Sequence, residues 1–538
     1  MSFFFKRAAR YAALSGVLLA VLGSGLSSAA NSAESAPVKG GTLVAVINPE
    51  PNQLNTSFNN QYANTVVSAN IFDGLVTYDE QLQPKPALAL SWEVAADGLS
   101  IKFSLRPGVR WHDGVAFTSA DVRYSALELW KKTHARGRIT FAPLVDVETP
   151  DALTAIFRLA YPAPVIMSAL NTGESQILPK HLYENTDVRK NVYNTKPIGT
   201  GPFRFKEWRK GQFVELERNP DYWDKGKPYL DKLIFRTIPD AAGRGAALEA
   251  GEVQYVPYAG VPFSDVARLR KDPRFKFETR GYGYHSQVYY LEFNLRRQSL
   301  NNVKVRQAIA HAIDKQGLID TVFYGIGAAA GSPVPASLGK LSNPDVPVYR
   351  YDPAAAERLL DEAGFPRAAN GVRFALNLDV SPSSERFPYA AEYLRQGLKR
   401  VGIEVKTVLS DGPTYLRKIY TAYDFDFTIQ PYSTLLDPEM GLTRTYWSKA
   451  ASPGVPYVNA SGYASKEADG LIESYQREAN QRRRESLFKD FQRVAMTDLP
   501  LIPVMEAPFF TFYSSKLHGV NFQPDGVLSS FANAWLSR

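Results

Sequence analysis

The pair His112–Asp113, flanked by Trp111 and Gly114 in "SLRPGVRWHDGVAFTSADV" (104–122), is the most chemically suggestive stretch of the chain. An imidazole beside a carboxylate is raw material for a general base or a metal corner, provided that a nucleophile or further ligands stand nearby. The sequence supplies neither. It contains no G-x-S-x-G, no P-loop and no H-E-x-x-H. The six histidines (His112, His134, His181, His285, His311, His518) are scattered, none two or four residues from another, and there is no cysteine. A zinc site would therefore need distant histidines and carboxylates to converge. "GIGAAAG" (325–331) has the wrong spacing for a dinucleotide fingerprint and runs into "SPVP", so it reads as a glycine-rich loop. No catalytic residue, metal or cofactor is expected.

The elements around the pair explain it without chemistry. Ile101, Phe103 and Leu105 alternate with polar residues as in a half-buried strand, and Pro107-Gly108 makes a turn. Thr118 and Asp121 have capping-box spacing, Phe117 and Val122 occupy the staple positions, and Val122, Ala126 and Leu129 mark a helix face. The pair thus falls in a strand-to-helix turn. Asp113 is expected to bond the backbone of that turn, Trp111 to pack down, and His112 to face water or a neighbouring carbonyl, as an ordinary surface residue.

Further along, Asp352, Pro353 and Gly364 read as N-cap, first-turn proline and stop of a helix carrying Ala356, Leu359, Leu360 and Ala363 on one face. A strand over 372–380, a helix over 389–402 and a strand over 403–409 follow, a pattern that favours an α/β fold.

Composition bounds the class. The chain has 538 residues, 45% hydrophobic and 22% charged, enough for two or three domains. Lys6, Arg7 and Arg10 precede an apolar run over 11–26 and then "SSAANSAESA", the layout of a cleaved signal peptide. The run is roughly 16 residues, short of the ~20 that span a bilayer. Cleavage is expected after Ala30, leaving a soluble, exported chain whose net charge falls from +8 to +5. Without cysteine there is no site for a lipid anchor. The densest basic run, "QRRRES" (481–486), reads as the solvated face of a helix, not as a nucleic-acid contact.

Beyond these local readings, "DGLSIKFSLRPGVRWHDGVAFTSADV" closely resembles the signature of the family 5 bacterial solute-binding proteins, the peptide- and nickel-type receptors of ABC importers. "NIFDGLVTYDE", "PIGTGPFRF", "RNPDYWDKGKPYLDKLIF", "LEAGEVQYV", "LEFNL", "VRQAIAHAID" and "YDPAAAERLLDEAGF" are similar to further family blocks, in the right order. In the block "LEAGEVQYV", Gln254 stands where an Asp is usual. The resemblance implies a hinge-closing two-lobe periplasmic binding fold with an accessory domain on lobe one. Lobe one would comprise 31–78, 198–281 and 509–538, the accessory domain 79–197, and lobe two 282–508, with crossings near Tyr282 and Phe509. His112 would then be scaffold.

The resemblance also implies where solute is held. Peptide-binding relatives grip the ligand's amino terminus with an Asp four residues before a Pro; here Thr434 stands four before Pro438, a departure that points away from a salt-bridged amine. Asp437 and Glu439 remain as acids that could substitute. Tyr432, Ser433, Thr434, Asp437, Asn459 and Tyr463 are the candidate contacts by motif position, with Arg386 for a carboxylate and Tyr284 and His285 at the cleft border. The implied function is capture of a short peptide or peptide-like solute by a monomer, and its delivery to ABC permease subunits whose ATPases lie on other chains. The rivals are an exported hydrolase acting on a peptide or ester, which lacks its catalytic groups here, and a ligand-presenting sensor.

Overall fold

Alternation along Ser100–Leu105 buries Ile101, Phe103 and Leu105 and leaves Lys102 exposed. The strand sits inside a four-stranded antiparallel sheet, between Ala89–Val94 and Thr154–Leu159, with Leu144–Asp151 at the far edge. The Thr118 amide donates to Asp121 Oδ2 (2.9 Å) to start helix Ser119–Tyr124, which continues through the wider-wound Ser125–Trp130. Val122, Ala126 and Leu129 are wholly buried in the surrounding core. The computed structural model describes residues 36–538, so the export segment expected over 1–30 lies outside the described residues.

The turn between these elements answers the opening question. Asp113 Oδ1 accepts from the Val115 amide (3.1 Å), its other oxygen pairs with His181 Nε2 (2.8 Å), and Trp111 packs inward. His112 corrects the expectation of an ordinary surface residue. It is buried, its Nδ1 accepts from the Gly199 amide (3.2 Å) and its Nε2 lies 3.0 Å from the Gly201 carbonyl. That pattern fixes a neutral ring with the proton on Nε2. Burial, above all, lowers its pKa to about 4. The "PIGTGPFRF" block is the other half of this clamp: a Cβ on Gly199 would lie 1.8 Å from the Ile71 carbonyl oxygen, so only glycine fits.

Two larger sheets carry the rest. A seven-stranded sheet runs, edge to edge, Phe275–Glu278, Thr511–Ser514, Tyr255–Val256, Thr42–Ile47, Lys232–Thr237, Phe213–Arg218, Phe203–Arg209. A six-stranded sheet runs Ala328–Ala329, Leu501–Glu506, Gln287–Phe293, Phe427–Ser433, Phe374–Val380, Ile403–Leu409. The chain passes from the first to the second between 278 and 287 and returns between 506 and 511. Val38–Arg538 forms one compact unit.

Within the six-stranded sheet, Phe374–Val380 pairs parallel to Ile403–Leu409 across helix Phe387–Arg400. Phe387, Ala390, Ala391, Leu394 and Leu398 give that helix its buried stripe. It begins two residues before the expected position because Pro388 is admissible in a first turn, where its missing amide costs no bond. Asp352 caps helix Pro353–Glu362 by accepting from the Ala355 amide (2.9 Å). Arg484 departs from the solvated-face reading of "QRRRES": within helix Gln481–Asp498 it turns inward and is buried. Among the described residues no helix is long and apolar enough to cross a membrane.

The loop that leaves strand Phe427–Ser433 joins the two halves. Leu435, Leu436 and Met440 insert into the apolar core built by the seven- and four-stranded sheets. Leu435 takes the left-handed conformation (φ 62°), and a Cβ on Gly441 would stand 2.1 Å from the Ser433 carbonyl oxygen.

Candidate functional site

Where the two large sheets face each other, a cavity of about 330 Å³ is lined by both and by the connecting segments. Its hub is Tyr258, held at φ 56° with its amide donating to Tyr282 Oη (2.9 Å). Tyr258 packs against Tyr62 (centroids 4.4 Å apart), His285 (5.6 Å) and Phe509 (5.5 Å), and its hydroxyl lies 3.0 Å from His285 Nε2. Burial, with a smaller push from Arg136, lowers the His285 pKa to about 3, so this imidazole is neutral. On the six-stranded side, Arg386 stacks its guanidinium on Phe263 (5.1 Å), Tyr324 (5.4 Å) and Tyr389 (5.8 Å). On the seven-stranded side, Arg244 gathers the carbonyls of Gly260 (2.5 Å), Pro239 (2.7 Å) and Ile238 (3.0 Å). Aromatic walls with a few fixed polar groups are what a small-molecule site requires.

Tyr284, the neighbour of His285, opens onto a second, enclosed polar junction. Its hydroxyl donates to Glu174, which also pairs with Arg136, and Arg136 Nη2 lies 3.1 Å from the same hydroxyl. With its amide turned to match its partners, Asn60 also accepts from Arg136 (2.5 Å). His134 is buried beside them, and burial lowers its pKa to about 4. Arg444 comes in from the other half of the molecule. Burial, assisted by the charge of Arg136, lowers its pKa to about 10.

Arg386 and His285 line the cavity, and Tyr284 belongs to the junction. Thr434 is buried on the connecting loop, its amide 3.5 Å from the Ser286 carbonyl, and Ser433 pairs in register with Gln287. Tyr432 points the other way: its hydroxyl donates to Glu292 (2.6 Å) and meets Tyr420 (3.0 Å), in a network where burial pushes Glu292 up to about 7. Asp437 is committed internally, to Arg484 (2.7 Å), Tyr475 (3.0 Å) and the Glu439 amide (2.9 Å). Asn459 ties its own loop, donating to the Tyr463 carbonyl (2.8 Å) and accepting from the Gly462 amide (3.0 Å), while Tyr463 bonds Asp498 (2.6 Å). Of the nine candidates only Arg386 and His285 line the cavity; Tyr432, Asp437, Asn459 and Tyr463 have their polar atoms taken by internal partners, and Tyr284, Ser433 and Thr434 lie outside the lining. Sequence reasoning missed Tyr258, Arg244, Arg136, Glu174 and Arg444, whose only outward signal is residue type.

Two α/β halves joined by paired crossings, with a polar, aromatic cleft between them, define a two-lobe solute-binding protein. The chain belongs to the bacterial extracellular solute-binding proteins, family 5, whose middle region matches residues 83–454. It is 28% identical over 526 residues to the oligopeptide-binding protein AppA of Bacillus subtilis, covering 95% of this chain and 94% of that one. The structure of AppA in complex with a nonapeptide superposes with a TM-score of 0.80 at 28% identity, covering 94% of this chain and 100% of that one. The glutathione-binding protein GsiB of Pectobacterium atrosepticum is 28% identical over 502 residues, 89% of this chain and 91% of the relative. NikZ of Campylobacter jejuni in complex with Ni(L-His) gives a TM-score of 0.79 at 25% identity, covering 91% and 97%.

Proposed function

We propose that this chain captures a short peptide or peptide-like polar solute between its lobes and delivers it, unaltered, to the permease of an ABC importer. The observation that carries this reading is the cleft itself: walls from both sheets and both crossings, aromatic hub Tyr258, and cations Arg386 and Arg244. Hinge closure encloses such a solute and strengthens each polar contact by excluding water. A volume of about 330 Å³ lies at the small end of the ~300–1,000 Å³ range of ligand sites. The ligands named for AppA, GsiB and NikZ are peptides or amino-acid derived, which supports the same class.

Strand membership supports assigning lobe one to 31–78, 198–281 and 509–538, the accessory domain to 79–197 and lobe two to 282–508. The contacts assigned to solute are Arg386 and His285, which line the cavity, with Tyr284, Thr434 and Ser433 next to lining residues or their chain neighbours. The protein works in the periplasm as a monomer without a lipid anchor, after loss of residues 1–30, and it turns nothing over. The test is to denature the purified mature protein and identify by mass spectrometry what it releases, then to retitrate that compound. Recovery of an intact peptide-like solute that rebinds supports the reading. A released compound of another class, or hydrolysis of the retitrated one, refutes it.

A further inference from the structure

Among the described residues four arginines are buried: Arg244, Arg306, Arg444 and Arg484. Three have their guanidinium groups answered. Arg244 bonds three carbonyls, Arg306 bonds the carbonyls of Leu300, Asn301, Asp498 and Leu499, and Arg484 bonds Asp437 and the Tyr475 carbonyl, its Nη2 without a hydrogen bond but 3.7 Å from Glu439. Arg444 does not fit this pattern. Its one hydrogen bond is a long one from Nη2 to the Tyr457 carbonyl (3.4 Å), and its buried Nε has no protein acceptor among the described residues.

The neighbouring charges do not answer it either. Arg136 and Glu174 both act on Arg444. Glu174 is already taken by Arg136 and by Tyr284, with His134 Nε2 a further 3.9 Å away. The two histidines alongside, buried His134 and half-buried His285, are neutral. The junction therefore holds two guanidinium cations against one carboxylate, and the uncompensated charge is Arg444. An unpaired buried cation is costly, and the cost is removed when an anion enters.

We propose that Arg444 is the anion seat of the cleft: the solute carries a carboxylate, and Arg444 receives it beside the Arg136–Glu174 pair. This rests on the reading of the cleft as a solute site. A guanidinium suits a carboxylate because its parallel N–H groups match the two oxygens, and Nε with one Nη forms such an edge. Tyr284 stands between this seat and the cavity, with its hydroxyl in the junction and its ring against His285, which lines the cavity (5.4 Å). Peptides and peptide-like acids offer the required group; esters, amides and neutral sugars do not.

The test uses the mature protein and a defined mixture of tri- to pentapeptides of neutral residues, each present as free acid and as C-terminal amide. Bound peptides are released by denaturation and counted by mass spectrometry. Wild type is expected to prefer acids by roughly 10- to 100-fold, the ratio to which a charged hydrogen bond converts. Arg444→Met and Arg444→Gln are expected to reduce that preference to within about threefold, near the noise of such ratios. Melting of the solute-free proteins supplies the folding control, and Arg444→Met is expected to melt no lower than wild type. If wild type retains neither form, the peptide reading fails and the inference falls with it. If wild type retains both forms equally, the peptide reading stands and the anion seat is refuted. The seat is likewise refuted if the preference survives both Arg444 variants and disappears in Arg386→Met.

Discussion

Replacing His112 by alanine removes a clamp, and the structure sets the cost. The Gly201 carbonyl keeps a second partner, Asn219 Nδ2 (2.9 Å), so the loss falls on the Gly199 amide, which is packed against Ile71 and has nowhere to turn. An orphaned buried donor costs about 1–3 kcal/mol, and the void left by the ring adds about 1 kcal/mol, for a total of roughly 2–4 kcal/mol. The pH dependence supplies a second signature. Because the folded pKa is depressed from the ordinary 6.5 to about 4, the contribution of His112 is present above 6.5 and is lost as pH falls through 4. That fall is worth about 3 kcal/mol, so the stability gap between wild type and His112→Ala should close as pH drops from 7 to 4. Urea unfolding followed by tryptophan fluorescence at several pH values measures both effects. Solute affinity should stay within about threefold, since His112 does not line the cavity. A variant within 0.5 kcal/mol of wild type at pH 7.5, the range of an ordinary surface change, would refute the clamp. A gap constant across pH would refute the neutral, buried imidazole.

Asp437→Asn strands the charge of Arg484, leaving Glu439 at 3.7 Å as its remaining acid beside the Tyr475 carbonyl (3.2 Å), and should cost about 3–5 kcal/mol in urea unfolding; a loss under about 1 kcal/mol would mean that the pair is not buried as described. Arg386→Met should weaken solute binding in calorimetry by roughly tenfold through loss of a cation at the cavity wall, with the melting temperature unchanged; unchanged binding would remove Arg386 from the site. Amino-terminal sequencing of the secreted protein should begin near Asn31, and a product that retains Met1 in the membrane pellet would overturn cleavage.

What could be read in advance was what is encoded locally. The Thr118–Asp121 box, the Asp352 cap and the alternation of Ile101, Phe103 and Leu105 each depend on neighbours a few residues away, and all appear in the fold. The site is different. Arg136 and Tyr284 meet across 148 residues, and Tyr282 meets Thr511 across 229, so no spacing announces their convergence. Asp437 shows the converse. Beside a proline in a loop it looks available, but its partner Arg484, 47 residues on, sits in a run whose composition reads as solvated. Residue type fixes what a side chain can do; burial and a distant partner decide whether it is free to do it.

The Leu435, Leu436 and Met440 plug bears on timing. Separating the lobes must withdraw these three side chains from a core in which each is at least 95% buried, and exposing each costs about 1.5–3 kcal/mol. Such a barrier stands whether or not cargo is present. It therefore weighs on entry and departure of a solute alike, and slows exchange in both directions.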